Sequence, residues 1–368
     1  TNASYEYELY NDRYSLTQIV QMFARVKPNK AAGEVFQYSN INYSILGLVI
    51  QTVSGIPYDE YIKNNIFDPL QMNNSFCSES EALNHGLAQG YQLYFGLLMP
   101  RHVPYSKALL PAGDMLMSSE DLAHYMIAFL NNGKYNNTDI TWGSNGSNNA
   151  NQSAFDNSLN YNLDWNPFHW RPSNGYPEYA GGDCNFSSDM LFLPEEKWGV
   201  VVLTNTNSRT LASTTIGPNS IVYGIAKEFL VPQGYQPATN DIKKVYFILD
   251  TIFLLIILLI AVQIRNLIKK RNTYFVSRIS LTKFYVVLGL VNFVFPLLML
   301  FGIPRLINNQ HPSWATVTLF TPDIGYFCII SSGLLLTIGI LKIIHLLFFM
   351  KTSKKSMLPG SYVIEGGD

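Results

Sequence analysis

Two places in the chain gather residue types that could do chemistry. The first is Gly33-Glu34-Val35-Phe36-Gln37-Tyr38-Ser39-Asn40, which stands immediately before an apolar run at 41–54. A phenol at the start of a buried helix gains from the helix dipole, which favours phenolate and lets it act as a general base. An amide two residues later can hold a carbonyl or an ammonium group. In a chain with 23 tyrosines, a packing role for Tyr38 accounts for the local pattern at least as well. The second place is Tyr179-Ala180-Gly181-Gly182-Asp183-Cys184-Asn185-Phe186-Ser187-Ser188. Small residues at the start of a strand let a ligand approach the strand edge, although a tight turn that needs glycine would look the same. No metal or cofactor is expected. His85, His102, His124 and His169 lack zinc-binding spacing, and Cys77, Cys184 and Cys328 match no zinc or iron–sulfur pattern. At most one disulfide, Cys77 to Cys184, is possible, and two unpaired buried thiols are the favoured reading.

These residues need elements to hold them. The spacing of apolar residues predicts helices at 16–26 and 41–54, the latter buried and closed by Gly55, followed by an amphipathic helix at 57–66. Ser118 or Ser119 can cap a helix that carries acids in its first turn and ends at Asn132-Gly133. Segments 186–193 and 198–205, joined by Pro194-Glu195-Glu196-Lys197, read as a hairpin of two buried strands. A closing helix is expected at 220–230. The Asn- and Ser-rich stretch 131–162 reads as a long surface excursion.

The rest of the chain is of another kind. Overall 48% of residues are hydrophobic and only 14% charged, against about a quarter charged in ordinary soluble domains. Residues 1–244 carry 14 Lys and Arg against 22 Asp and Glu, whereas residues 245–368 carry 11 against 4. An acidic front part without a basic aromatic stripe excludes nucleic acid as its partner. Runs at about 245–264, 284–304 and 324–349 are long and apolar enough to cross a bilayer, which takes about 20 residues. Asp250 would lie near one interface. Arg265, Lys269, Lys270, Arg271, Arg278 and Lys283 between the first two runs, and Lys351, Lys354 and Lys355 in the tail, are expected on the cytoplasmic side. That places residues 1 to about 240 outside the cell and makes 350–368 a cytoplasmic tail.

The order of further motifs adds to this. After the Tyr38-Ser39-Asn40 segment come Ile66-Phe67-Asp68-Pro69-Leu70, then Pro111-Ala112-Gly113-Asp114-Met115-Leu116-Met117-Ser118-Ser119-Glu120-Asp121-Leu122, then Gly181-Gly182 with Phe186-Ser187-Ser188, then Gly199 to Asn205. Over about 14–230 this series resembles the serine beta-lactamase and penicillin-binding-protein family, in particular its class C-like branch of esterases and D-amino peptidases. The resemblance implies an α+β domain at 1–238, an antiparallel sheet flanked by helices and incomplete at its N-terminus, followed by three transmembrane helices. It also implies an acylated Ser of a Ser-x-x-Lys, a Tyr-x-Asn whose Tyr shuttles protons, and a Lys-Thr-Gly or His-x-Gly strand lining the site. Tyr38 and Asn40 match the second element, so Tyr38 would relay the proton and Asn40 orient the acyl side chain. Tyr179-Ala180-Gly181 stands where His-x-Gly is usual, and Tyr179 supplies no cation for a substrate carboxylate. This departure suits an esterase or amidase whose substrate has a neutral end.

The chain's one Ser-x-x-Lys, Ser280-Leu281-Thr282-Lys283, lies between two predicted spans, and only 37 residues precede Tyr38. The nucleophile is therefore expected upstream of Thr1, where neither an initiator Met nor a leader is visible, and the chain as given is expected not to acylate. The expectation for the whole is a membrane-anchored extracytoplasmic serine hydrolase acting on a small amide, D-amino-acid peptide or ester. The three spans also resemble peptidases that remove an acyl-D-asparagine prodrug group from exported peptides. The competing class is a non-catalytic protein of this fold that binds cell-wall peptide or a partner.

Overall fold

A computed structural model describes residues 13–27, 39–131, 133–140, 178–182, 184–193, 197–207, 221–222, 224–225, 241–269, 285–307 and 313–356. The chain divides into two compact units: Thr1–Phe247 with His311–Asp323, and Ile248–Gln310 with Ile324–Asp368.

In the first unit, α1 (Leu16–Phe23) begins with a capping box. Ser15 Oγ accepts from the Gln18 N–H, and Gln18 Oε1 accepts from the Ser15 N–H. Its buried face, Leu16, Ile19 and Phe23, meets Ile41 and Ala108. Helix α2 (Asn40–Ser54) ends at Gly55, whose φ of 74° a residue with a side chain adopts only under strain. The expectation of a buried helix needs correction. Ile41, Ser44 and Gly47 are buried, whereas Tyr43, Ile45, Leu46, Val49 and Val53 are exposed, so an apolar sequence packs on one face only. That face rests on a 3₁₀ turn, Lys107–Ala112. Ser44 Oγ donates to the Ala108 carbonyl over 2.8 Å, and a Cβ on Gly47 would collide with the Pro111 ring.

Helix α3 (Tyr58–Ile62) widens into a π turn over Lys63–Phe67. Phe67, Leu70 and Met72 then join Leu16, Tyr58, Ile62, Leu110, Ala128 and Tyr135 in the main core. Strand β1 (Ser75–Phe76), helix α4 (Glu79–Asn84) and a hairpin of β2 (Tyr91–Tyr94) and β3 (Leu97–Pro100) follow. Strand β4 (Leu116–Met117) pairs with β1 and leads into α5 (Ser119–Leu130), which Ser118 caps by accepting from the Asp121 N–H. Asp121 does more than complement the dipole. It is buried, and its Oδ2 accepts from the Asn74 N–H and the Ser75 hydroxyl, each at 2.7 Å.

The expected surface excursion at 131–162 instead opens with a tight hairpin, β5 (Lys134–Tyr135) and β6 (Thr138–Asp139), and Tyr135 is a core residue whose ring lies tilted against that of His124, centroids 4.7 Å apart. Residues 141–162 lie outside the described residues. A three-stranded antiparallel sheet joins β7 (Glu178–Gly182), β8 (Ser187–Leu193) and β9 (Trp198–Thr204), in that order. The predicted hairpin is β8 and β9, but only β8 is largely buried; on β9, Val200 alone is. The face of β9 is covered by α5, where Gly199 leaves room for the Met126 side chain. Of the expected closing helix at 220–230, residues 221–222 and 224–225 are helical and Val222 packs under the sheet; the remainder lies outside the described residues.

The C-terminal helices are α6 (Ile242–Lys269), a π turn at Leu290–Val294 running into α7 (Phe295–Ile307), the short α8 (Trp314–Phe320), and α9 (Pro322–Ser356). Three candidate spans result: Ile242–Ile268, Tyr285–Leu306 and Pro322–Leu347. The second unit holds together in two ways. Ile260, Leu335 and Ile338 form its apolar centre, and Phe253 stacks on Phe327 at 4.1 Å. One polar residue from each span also converges. Lys342 Nζ donates to Gln263 Oε1 and, at 3.2 Å, to Asn292 Oδ1, while Asn292 Nδ2 donates to the Leu335 carbonyl. In lipid such groups must find partners within the bundle, and the π turn carries Asn292 into reach.

Candidate active site

Asn40 is the first residue of α2, and Ser39 before it is buried with an extended backbone (φ −155°, ψ 121°) that turns the chain into the helix. Tyr38 lies outside the described residues. What fixes this helix start is visible. Ile41 is fully buried among Ile19, Phe23 and Ala108, and Ser44 and Gly47 follow on the same face against the 3₁₀ turn. The Pro111-Ala112-Gly113-Asp114 motif is thus the floor under the Tyr-x-Asn helix. Asp114 Oδ2 accepts from the Ser106 N–H and closes that floor.

Gly181 sits on β7 opposite Ser188, Gly182 opposite Ser187 and Tyr179 opposite Met190. The side chain of Tyr179 lies outside the described residues. A Cβ on Gly181 would come within 2.8 Å of Ser188 Oγ, so the neighbouring strand already asks for a small residue there. Both glycines are exposed, which leaves the backbone of the strand open to an approaching group. The turn after them is sewn down by amide side chains: Gln92 Nε2 donates to the Cys184 carbonyl and Asn185 Nδ2 to the Arg101 carbonyl, while just after β9 Asn205 Nδ2 donates to the Gln89 carbonyl. Ser187 Oγ and Thr204 Oγ1 lie 2.7 Å apart across the β8–β9 pair. The described contacts connect Asn40 to Gly181 through one scaffold: α2 on the 3₁₀ turn, then β4, α5, and the sheet from β9 to β7.

Sequence reasoning did not single out Gln92 or Asp189, the latter fully buried within β8, and did not see the tethering roles of Asp121 and Asn185. Asp189 alternates with Ser187 and Leu191 on one face, a period-2 signal that a lone carboxylate between apolar residues obscures. No disulfide is present, and Cys77, Cys184 and Cys328 are thiols. Burial, with the Asp59 and Glu81 carboxylates adding to it, pushes the Cys77 thiol up to about 12, so it is held neutral and is a poor nucleophile. Burial likewise pushes the Tyr58 phenol up to about 12. Neither group suits acid–base work near neutrality. Among the described residues no group of three or more His, Cys, Asp or Glu could hold a metal ion.

Helices and small antiparallel sheets in this order, followed by three apolar helices long enough to cross a membrane, make up a beta-lactamase-fold domain and three candidate spans. The beta-lactamase family model matches residues 2–216, and the chain belongs to that family. Protein flp of Staphylococcus aureus (strain MRSA252) is 25% identical over 299 residues, covering 79% of this chain and 56% of that protein. The putative penicillin-binding protein PbpX of Bacillus subtilis (strain 168) is 33% identical over 101 residues, 27% of this chain and 26% of PbpX. Among solved structures, the octameric penicillin-binding protein homologue from Pyrococcus abyssi matches with a TM-score of 0.43 and 23% identity, over 58% of this chain and 48% of that one. The chain therefore spans about half or less of the length of these relatives.

Proposed function

We propose that the protein is a membrane-anchored serine hydrolase that acts outside the cell, through an acyl-enzyme, on a small amide, D-amino-acid peptide or ester. The observation that carries this reading is Asn40 as the first residue of a rigidly seated helix, directly after Ser39, in a chain of the beta-lactamase family. In this reading Tyr38 takes the proton of the attacking seryl hydroxyl and passes it to the leaving group. Asn40 holds the acyl side chain, and the β7 backbone around Gly181 lies along the substrate. Serine acylation consumes the hydroxyl proton and releases an amine or alcohol that needs one, so a single relay group serves both halves. Tyr179 in place of a cationic residue supports a substrate whose end at β7 is neutral.

Fluorophosphonate labelling of membranes carrying the protein, expressed from its natural start, tests this directly, with Tyr38→Phe alongside and the 368-residue chain as a blank. Strong labelling that falls at least about 100-fold in rate in Tyr38→Phe is expected for a lost acid–base group. A folded, inserted protein that stays unlabelled would instead identify a binding protein of this fold, with cell-wall peptide as the first ligand to try.

A further inference from the structure

The β2–β3 hairpin is built unlike a soluble one. Its turn, Phe95-Gly96, places both central residues at positive φ (51° and 74°), as in a two-residue type I′ turn. Asn or Gly relieves strain at the first position, yet here it is a phenylalanine, 46% exposed. Strand β3 that follows breaks the alternation of a half-buried strand. Leu97, Leu98 and Met99 are 67%, 55% and 47% exposed, so apolar side chains leave both faces of the ribbon. A free apolar hairpin of this kind is an aggregation hazard in water.

The tip is held at one particular place. The Phe95 N–H donates to Asp323 Oδ2 over 3.0 Å, and Gly96 packs on the Tyr246 ring, which a Cβ would meet at 3.3 Å. Gln92 Nε2 donates to the Leu319 carbonyl, and Leu93 is buried against Tyr246. Tyr246 is the fifth residue of the first candidate span and Asp323 the second residue of the third. Arg101, just after β3, donates from Nη1 to the hydroxyl of Tyr94, which flanks the turn, an aromatic and cationic pair suited to the headgroup level.

We infer that the β2–β3 hairpin is an interfacial membrane contact that lays Phe95, Leu97, Leu98 and Met99 into the lipid surrounding the starts of the first and third spans. The inference rests on reading those helices as spans. Its depth is limited by the backbone: a two-stranded ribbon has unpaired N–H and C=O groups on both outer edges, which hydrocarbon does not satisfy. The hairpin therefore lies flat at the boundary between headgroups and acyl chains, about 5–10 Å deep at most, as interfacial amphipathic segments do.

The test uses the full chain in proteoliposomes, with an environment-sensitive fluorophore on a single introduced cysteine and the unsubstituted chain as the labelling blank. Leu98→Cys reports the hairpin, Glu60→Cys an exposed site on α3, and Leu258→Cys the middle of the first span. All three native side chains are exposed, so labelling does not disturb a core. The expected result is that acyl-chain-brominated phosphatidylcholine quenches the probes at 98 and 258 at least twofold more than the probe at 60, with aqueous iodide giving the reverse order. A probe at 98 that iodide quenches as it does the one at 60, while 258 stays lipid-quenched, overturns the inference. Shielding of 98 from both quenchers also overturns it, since a protein partner would then cover the ribbon. A probe at 258 open to iodide overturns this inference and the spans together.

Discussion

At the scale of single residues, the described scaffold of the site is held by a few polar side chains that take the place of apolar packing. Asp121 is the clearest. Its carboxylate bonds the Asn74 N–H and the Ser75 hydroxyl, tying the segment after Asp68-Pro69-Leu70 to the first turn of α5. Asp121→Ala leaves both donors without an acceptor and is expected to cost about 1.5–3 kcal/mol, with Asp121→Asn losing less, in denaturant titrations followed by intrinsic fluorescence. Titration makes a second prediction. Cys77 and Tyr58 are neutral when protonated, and folding raises them from 9.0 and 10.0 to about 12. Between pH 9 and 12 the unfolded chain has therefore lost protons that the folded one keeps. The associated stability is whole below pH 9 and declines as pH rises toward 12. Cys77→Ala should flatten the decline over that window, and a slope equal to that of the unsubstituted chain would count against a neutral Cys77.

At the scale of elements, the sequence was most legible where one short stretch carries its own instructions. Helix α5 could be read because Ser118, Glu120, Asp121 and the Asn132-Gly133 end are local signals, and the β8–β9 pair because an apolar run, a Pro-Glu-Glu-Lys break and a second apolar run leave little choice. The β2–β3 hairpin was not legible: Phe95-Gly96 lacks the Asn-Gly signature, and Leu97-Leu98-Met99 does not alternate. Helix α8 is seven residues of mixed character between two long apolar runs, and the one-faced packing of α2 depends on where the 3₁₀ turn folds back, a long-range fact. Asn40 and Gly181 are candidate site residues through the order of motifs; neither is chemically distinctive alone. The polar junction of the three spans could not be read either, because Gln263, Asn292 and Lys342 are far apart in sequence. At 1.5 Å per residue, Gln263 and Lys342 lie about 7–8 Å from the C-terminal ends of their spans and Asn292 about 10–11 Å from the N-terminal end of its own. Asn292→Ala removes an acceptor of Lys342 and the donor to the Leu335 carbonyl, and is expected to loosen the bundle by about 1–2 kcal/mol. Thermal unfolding in micelles measures it. No loss of midpoint would show that the junction adds nothing to helix association.

At the scale of the molecule, three crossings would sort the parts of the chain onto two sides of a membrane. Charge divides the chain, with a net −8 over residues 1–244 and +7 over residues 245–368, and the positive excess lies in the loop before the second span and in the tail. That distribution favours a cytoplasmic loop and tail and an external front domain. An independent observation bears on it. Residues His311–Asp323, between the second and third spans, fold with the first unit, where Leu319 and Asp323 accept hydrogen bonds from Gln92 and Phe95. Covalent order alone requires 311–323 and the residues before Ile242 to be on one side if three helices cross, and the packing meets that requirement. Alkaline phosphatase fused after residue 240 or after residue 310 is therefore expected to be active, and fused after residue 275 or residue 360 inactive. Because two crossings separate 240 from 310, three spans require them to behave alike. A fusion active at 275 would invert the orientation, whereas a difference between 240 and 310 would break the three-span arrangement itself.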